Sequence, residues 1–210
     1  MKELKESILL KLGEKLMPYG FKLKKSTGEF TKKTINGWHR YLVLFYDKDG
    51  YEINTSVGIR INKVEDIYHR TSGFEKKYHK GTSTIGCFVE DYLKEYDNYR
   101  FSVNKEGDLK NVVAVLLEIF EKVALPYFDK YDNLELIDKL LNSDPNEQTV
   151  HKGNTAMRAH IGIIVARLVG NVKYPELVES YHDIIGRTNK GFYKSEYEAL
   201  VKDLENLSID

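Results

Sequence analysis

The densest group of residues that could do chemistry lies between Tyr68 and Gly81. Basic, imidazole and aromatic side chains are mixed there: Tyr68, His69, Arg70, Phe74, Lys76, Lys77, Tyr78, His79 and Lys80. Aromatic rings with arginine are typical of protein interfaces, and the same side chains can stack on bases or hold phosphate. A solvated loop without a partner fits this composition equally well. Three interpretations therefore stay open: a protein-binding loop, an anion-binding loop and a loop without function.

A second candidate for partner binding is the pair Trp38 and Arg40. Tryptophan and arginine often carry much of the binding energy at interfaces, although a tryptophan packed on a sheet edge is an ordinary structural arrangement. With the first group, this gives the predicted partner-binding residues: Trp38, Arg40, Tyr68, His69, Arg70, Lys76, Lys77, Tyr78, His79 and Lys80. If the partner is acidic, Arg70, Lys76, Lys77 and Lys80 would hold it.

Motifs for catalysis and for metal or cofactor binding do not emerge from the spacing. A calcium loop starting at Asp47 would need glutamate at its twelfth position, where Gly58 stands. The sequence has no phosphate-binding glycine loop and no zinc-protease motif. With Cys87 as its one cysteine, it cannot build a cysteine-based zinc site. His160 lies on the apolar stripe of a predicted helix, which favours a buried imidazole with one hydrogen-bond partner. We predict no catalytic residue, no metal ligand and no cofactor.

Composition limits the classes of function. The chain has 210 residues, with 32 basic and 32 acidic side chains. This balance argues against nucleic acid as a partner, since nucleic-acid binders usually carry a basic excess. No stretch is long and apolar enough to suggest a membrane span, and the first residues do not resemble a signal peptide. We expect a cytoplasmic protein without a membrane partner, and the oligomeric state stays open.

The elements that must position these residues begin with a hairpin from Trp38 to Ile61, turning at 47–50. Residues 41–46 are apolar on both faces, which predicts an interior strand covered on both sides. Residues 51–61 alternate between apolar and polar side chains, which predicts a strand with one face on the core and one face exposed to solvent. Residues 99–103 predict a further strand, and the apolar stripe of residues 109–123 predicts a core helix.

Strands followed by helices indicate an α+β protein. We predict an antiparallel sheet of about five or six strands packed with helices, followed by a helical C-terminal portion. The polar cluster that follows Leu141 is the best internal linker. It suggests a sheet domain over residues 1–142 and a helical extension over residues 143–210 that packs with it as one unit.

Three segments resemble an uncharacterised bacterial family, a cytosolic domain of unknown function. They are the run Leu16-Met17-Pro18-Tyr19-Gly20-Phe21-Lys22-Leu23-Lys24, the hairpin ending in Val57-Gly58-Ile59-Arg60-Ile61, and Ala124-Leu125-Pro126-Tyr127-Phe128. The resemblance covers about residues 3–142. It implies a bacterial cytosolic origin and an α+β fold, and it supplies no catalytic residues. Immunity-type or toxin-neutralising proteins are associated with proteins of this kind.

The leading hypothesis is a non-enzymatic module that binds another protein, for which the 15 tyrosines and zero net charge are suitable. The alternative is a small hydrolase or nuclease-like enzyme in which His39, His69 or His79 works with a nearby carboxylate. Spatial neighbours are not readable from one sequence, so the lack of motifs does not exclude it. A third hypothesis is a dimer formed through the C-terminal helices.

Overall fold

A computed structural model describes residues 2–47, 50–93, 101–103 and 106–208. The chain divides into two compact units, each made of two stretches of sequence. Unit 1 is Met1–Ile59 with Gly86–Lys130, and unit 2 is Arg60–Ile85 with Tyr131–Asp210. Residue 142, where the sequence suggested a boundary, lies inside unit 2. The α+β class with an antiparallel sheet and C-terminal helices is confirmed.

The described residues form a sheet of six strands in the order β1-β2-β3-β4-β5, with β6 also paired to β4. Its strands are β1 (Lys22–Lys24), β2 (Glu29–Lys33), β3 (Gly37–Asp47), β4 (Tyr51–Ile61), β5 (Ile85–Phe88) and β6 (Phe101–Val103). The register pairs Phe30 with Tyr41 and Ile53 with Phe101 in antiparallel ladders. Four residues of the predicted turn and last strand (Lys48, Asp49, Tyr99 and Arg100) lie outside the described residues.

The predicted burial of the two hairpin strands is corrected by the structure. The interior position of β3, between β2 and β4, is confirmed. However, β3 alternates between buried and half-buried residues, while β4 is buried at most positions on both faces. Two polar residues of β4, Asn54 and Arg60, misled the interpretation because they are buried with hydrogen-bond partners. Asn54 Nδ2, for example, donates to Glu90 Oε1 at 3.0 Å.

Unit 1 packs helices against its share of the sheet. They are α1 (Lys2–Leu16), α3 (Val89–Leu93), α4 (Leu109–Ile119) and α5 (Leu125–Tyr131), the last running to the unit boundary. Apolar residues of α1 and α4 face each other, and the Tyr41 hydroxyl donates to the Leu116 carbonyl at 3.1 Å. A π-helical turn, Phe120–Ala124, joins α4 to α5 ahead of Pro126. Pro126 has no backbone N–H to donate within a helix, and the wider π-helical turn stands just before it, where such turns are a known cause of helix distortion.

Unit 2 is built around a central helix. Its helices are α2 (Asn62–Thr71), α6 (Leu134–Asn142), α7 (Thr155–Leu168), α8 (Tyr174–Arg187) and α9 (Lys194–Glu205). Helix α7 packs against the other four and is buried on nearly every side. Asn154 caps its start by accepting from the Met157 N–H. Arg158, also buried, donates to the carbonyls of Leu141 and Asp144 and so fixes the segment after α6.

Within the described ranges, no helix combines the length and the apolar character that crossing a membrane requires.

Candidate binding cavity in unit 2

A buried polar network fixes the segment that follows β4. The side chains of Arg60 and Glu65 are almost fully buried, with Nη1 and Oε2 3.7 Å apart. The Thr82 hydroxyl donates to the same Oε2 at 2.5 Å, and Arg60 Nη1 donates to the carbonyls of His79 and Thr82. Because buried charges are costly unless they are paired and hydrogen-bonded, this network specifies one path for the chain between α2 and β5.

His69 belongs to this network. Its Nδ1 lies 2.8 Å from Ser72 Oγ and its Nε2 lies 2.8 Å from Thr82 Oγ1. Burial lowers the pKa of His69, while the Glu65 carboxylate opposes that effect and His79 reinforces it. With both ring nitrogens engaged inside unit 2, the imidazole of His69 has no nitrogen left for a partner.

A cavity of about 780 Å³ opens beside this network. Five aromatic side chains form the largest group in its wall, together with two carboxylates, one imidazole, one methionine and small or amide side chains. The lining residues are Tyr68, Gly73, Phe74, Glu75, Tyr78, Asn154, Ala156, Met157, His160, Phe192, Tyr193, Ser195 and Glu196. All of them belong to unit 2. A cavity of this size, with aromatic walls and few polar groups, is typical of ligand sites.

The polar centre of the cavity is the pair His160 and Glu196. His160 Nδ1 lies 2.6 Å from the Ala156 carbonyl oxygen, which can only accept, so Nδ1 carries the proton. Among the residues that the structure describes, His160 Nε2 is buried without a hydrogen-bond partner, and it lies 3.7 Å from Glu196 Oε1. Burial lowers the pKa of His160, which favours the neutral ring despite the nearby carboxylate. In that form Nε2 is an acceptor, so two acceptor atoms face each other.

Glu196 is held in place by backbone and aromatic neighbours. Its Oε2 accepts the Gly73 N–H at 3.2 Å. Burial is the main cause that raises the pKa of the Tyr68 hydroxyl, and the charge of Glu196 is the second. Both keep that phenol protonated. Among the described residues, no lysine or arginine nitrogen forms an ion pair with Glu196, whereas Glu75 is paired with Lys77 at 2.8 Å. The carboxylate of Glu196 therefore lies in the cavity without a lysine or arginine partner from the described chain.

The outer rim consists of exposed aromatic rings. Phe74, Tyr78 and Phe192 are 39, 54 and 76% exposed. The turn before Phe192 is unusual, because Asn189 and Lys190 both have positive φ, at 47° and 54°. Residues other than glycine adopt this conformation at a cost. The turn directs the chain into α9, whose first residues include Ser195 and Glu196 of the lining.

The structure places the predicted partner-binding residues in different settings. Tyr68 and Tyr78 line the cavity, and His79 stacks on His69. Outside the lining, Arg70 pairs with Asp203 at 3.2 Å, and Lys76, Lys77 and Lys80 are exposed. Trp38 and Arg40 belong to unit 1, where the Arg40 guanidinium lies 4.9 Å from the centre of the Trp38 ring. The ten residues thus do not form one surface within either unit.

Sequence reasoning missed Glu196, Phe192 and Tyr193, and it interpreted His160 as a structural histidine. His160 is buried with one hydrogen-bond partner, as expected, but it also lines the cavity. One pattern could have directed attention to the rim: Lys190-Gly191-Phe192-Tyr193, a turn glycine followed by two aromatic residues just before a helix. In the part of the chain that the structure describes, no group of three histidine, cysteine or acidic side chains is arranged to hold a metal.

Comparison of the chain with family models, with curated proteins and with solved structures gives no match. The resemblance to a bacterial family stays a prediction, and function is argued from the site.

Proposed function

We propose that this chain is a non-enzymatic binding module that receives a partner protein at the aromatic cavity of unit 2. The observation that carries the proposal is the rim of Phe74, Tyr78 and Phe192, three exposed aromatic side chains around one cavity. Clustered exposed apolar side chains mark interaction sites more often than single ones do. Aromatic residues at the centre of an interface contribute much of its energy. A toxin as the partner, in a bacterial cytosol, is the form that the family resemblance suggests.

A photo-crosslinking amino acid at position 192 tests this proposal in the native host. The matched control carries the same group at Val172, an exposed apolar residue of unit 2 outside the cavity lining. We expect a defined crosslinked protein from position 192 and not from position 172. Tyr78→Ala combined with Phe74→Ala should abolish it, with the fold checked by thermal unfolding. Equal crosslinking from both positions, or none from position 192, would contradict the proposal.

The enzyme hypothesis is favoured by one observation, the unprotonated Nε2 of His160 beside Glu196. Such a nitrogen could act as a general base on a water molecule. Ser195 also lines the cavity, yet no hydrogen bond joins it to His160 among the described residues. Of the histidines first considered for catalysis, His69 is engaged at both nitrogens, and His79 Nε2 lies 2.8 Å from the Phe74 carbonyl. His39, in unit 1, stacks on Phe128.

Hydrolysis of p-nitrophenyl acetate and bis-p-nitrophenyl phosphate separates the two functions. A binding module should give the same background rate for the wild type and for His160→Gln. If hydrolysis by the wild type is faster than by a folded His160→Gln variant, the binding proposal is wrong and the enzyme hypothesis takes its place.

A further inference from the structure

The cavity combines three properties that select the charge of what enters it. Its walls include the rings of Tyr68, Phe74, Tyr78, Phe192 and Tyr193. The negative faces of aromatic rings attract cations. The Glu196 carboxylate adds a formal negative charge, and the described residues of the lining include no lysine or arginine.

The hydrogen-bonding pattern points in the same direction. No donor from the described part of the chain reaches His160 Nε2, and Glu196 Oε1 lies 3.7 Å from it. A buried acceptor without a donor is costly, so a ligand that donates an N–H group to His160 Nε2 would remove a defect of the unbound protein, and a second N–H group of the same ligand would face Glu196 Oε1. An ammonium group offers three donors and a guanidinium group five, and neither offers an acceptor that would clash with these atoms.

We infer that the cavity receives a lysine or arginine side chain of the partner protein, with its N–H groups donating to His160 Nε2 and Glu196 Oε1. This inference rests on the proposed function, since it names the group that the partner inserts. The exposed aromatic rim would surround the aliphatic part of that side chain, which is apolar along its length.

The test adds single capped amino acids, as probes, to the full-length protein. Binding is monitored by the amide NMR signal of Gly73, whose N–H donates to Glu196. The cationic probes are Nα-acetyl-lysine methylamide and Nα-acetyl-arginine methylamide. Their neutral counterparts are the norleucine and citrulline methylamides. We expect saturable shifts from the cationic probes at millimolar concentration, and a change in the nitrogen resonance of His160 Nε2 as it gains a donor.

Two variants make the test specific. Glu196→Gln keeps an acceptor for the Gly73 N–H and removes the charge. It should weaken the binding of the cationic probes about tenfold or more, the usual effect of losing a charged hydrogen bond. Glu198→Gln, on the same helix but outside the lining, should leave the affinity unchanged.

Equal binding of the neutral and cationic probes, unchanged affinity in Glu196→Gln, or no response of Gly73 to any probe would overturn the inference. Crosslinking from position 192 to a protein would still support the proposed function in each of these cases. Failure of that crosslink together with clear binding of the cationic probes would instead reject the protein partner while retaining the cation site.

Discussion

The imidazole rings of His69 and His79 stack face to face, with their centres 3.9 Å apart and their planes 5° from parallel. Protonating both rings would place two positive charges in contact, and the buried guanidinium of Arg60 lies in the same network. Among the surrounding charges, Glu65 and Asp66 favour the protonated form of His69. Burial outweighs them, so the net effect is a lowered pKa. This arrangement ties the path of the chain after α2 to the protonation state of a histidine.

We expect the protein to lose stability as the pH falls from about 7 to about 5. An unfolded histidine takes up its proton near pH 6.5, before the folded protein does at its lowered pKa. The stabilisation that the neutral His69 gives the folded protein is therefore fully present above about pH 6.5. It is lost as the pH falls toward the lowered pKa of His69 in the folded state. His69→Gln should flatten the dependence of the thermal midpoint on pH. Replacing the half-exposed His182 in the same way is the control, and identical pH profiles for His69→Gln and the wild type would contradict the prediction.

Removing the carboxylate of Glu65 should be among the most destabilising changes in unit 2. Glu65→Ala leaves the guanidinium of Arg60 buried beside an empty space, and breaking a buried ion pair costs about 3–5 kcal/mol. Glu179→Ala, in α8 of the same unit, removes an exposed carboxylate outside the network and should change the free energy of unfolding by about 0.5 kcal/mol or less. Urea unfolding of both variants measures the difference. Similar losses would show that the network does not hold the segment.

In unit 1, Leu116→Ala should cost about 2–5 kcal/mol, the usual range for a fully buried leucine. Leu116 has no exposed surface, and its carbonyl accepts the Tyr41 hydroxyl. Leu10→Ala on α1 is the control, because Leu10 is an exposed leucine of the same unit. A loss below about 1 kcal/mol for Leu116→Ala in urea unfolding would place this residue outside the core.

The turn before the cavity rim should respond to glycine in the opposite way from a helix. Lys190→Gly removes a side chain from a left-handed residue, where L-residues lose roughly 1–2 kcal/mol. Glycine also makes the unfolded chain more flexible, which opposes folding and offsets roughly 0.5–1 kcal/mol of this gain in stability. The thermal midpoint should therefore rise slightly or stay the same. Lys194→Gly, at the start of α9, should lower it, and a clear loss of stability in Lys190→Gly would contradict the positive φ.

Replacing Arg70, Lys76, Lys77 and Lys80 together by alanine distinguishes an acidic partner from a basic one. A partner held by these four charges would be lost, and its binding would weaken with salt. A partner that inserts a lysine or arginine into the cavity should be retained, because the variant removes positive charge from the surroundings. We expect retention, measured as the crosslink from position 192. Loss of the crosslink, with the thermal midpoint unchanged, would return the binding role to the basic residues.

The fold could be predicted from the sequence where apolar residues are buried and polar residues are exposed. The apolar stripe of α4 and the helices after residue 131 are examples. The fold was misread where a polar residue is buried with its partners. Arg60 is the second-last residue of β4, whose alternation is typical of a strand with one solvent-exposed face, yet its side chain is only 5% exposed. Its partner Thr82 follows 22 residues later, and no local pattern announces that pairing. The cavity was hidden for the same reason, since Tyr68, His160 and Glu196 come together only through the packing of α2, α7 and α9.

The chain passes between the units after Ile59, Ile85 and Lys130. No single cleavage of the backbone can therefore release either unit whole. A product that stops at residue 130 keeps Arg60–Ile85 but lacks α7 and α9, against which α2 packs. The apolar face of α2, with Val64, Ile67 and Tyr68, would then be exposed to water. Premature termination before α7 should therefore give an aggregation-prone product rather than a smaller functional protein.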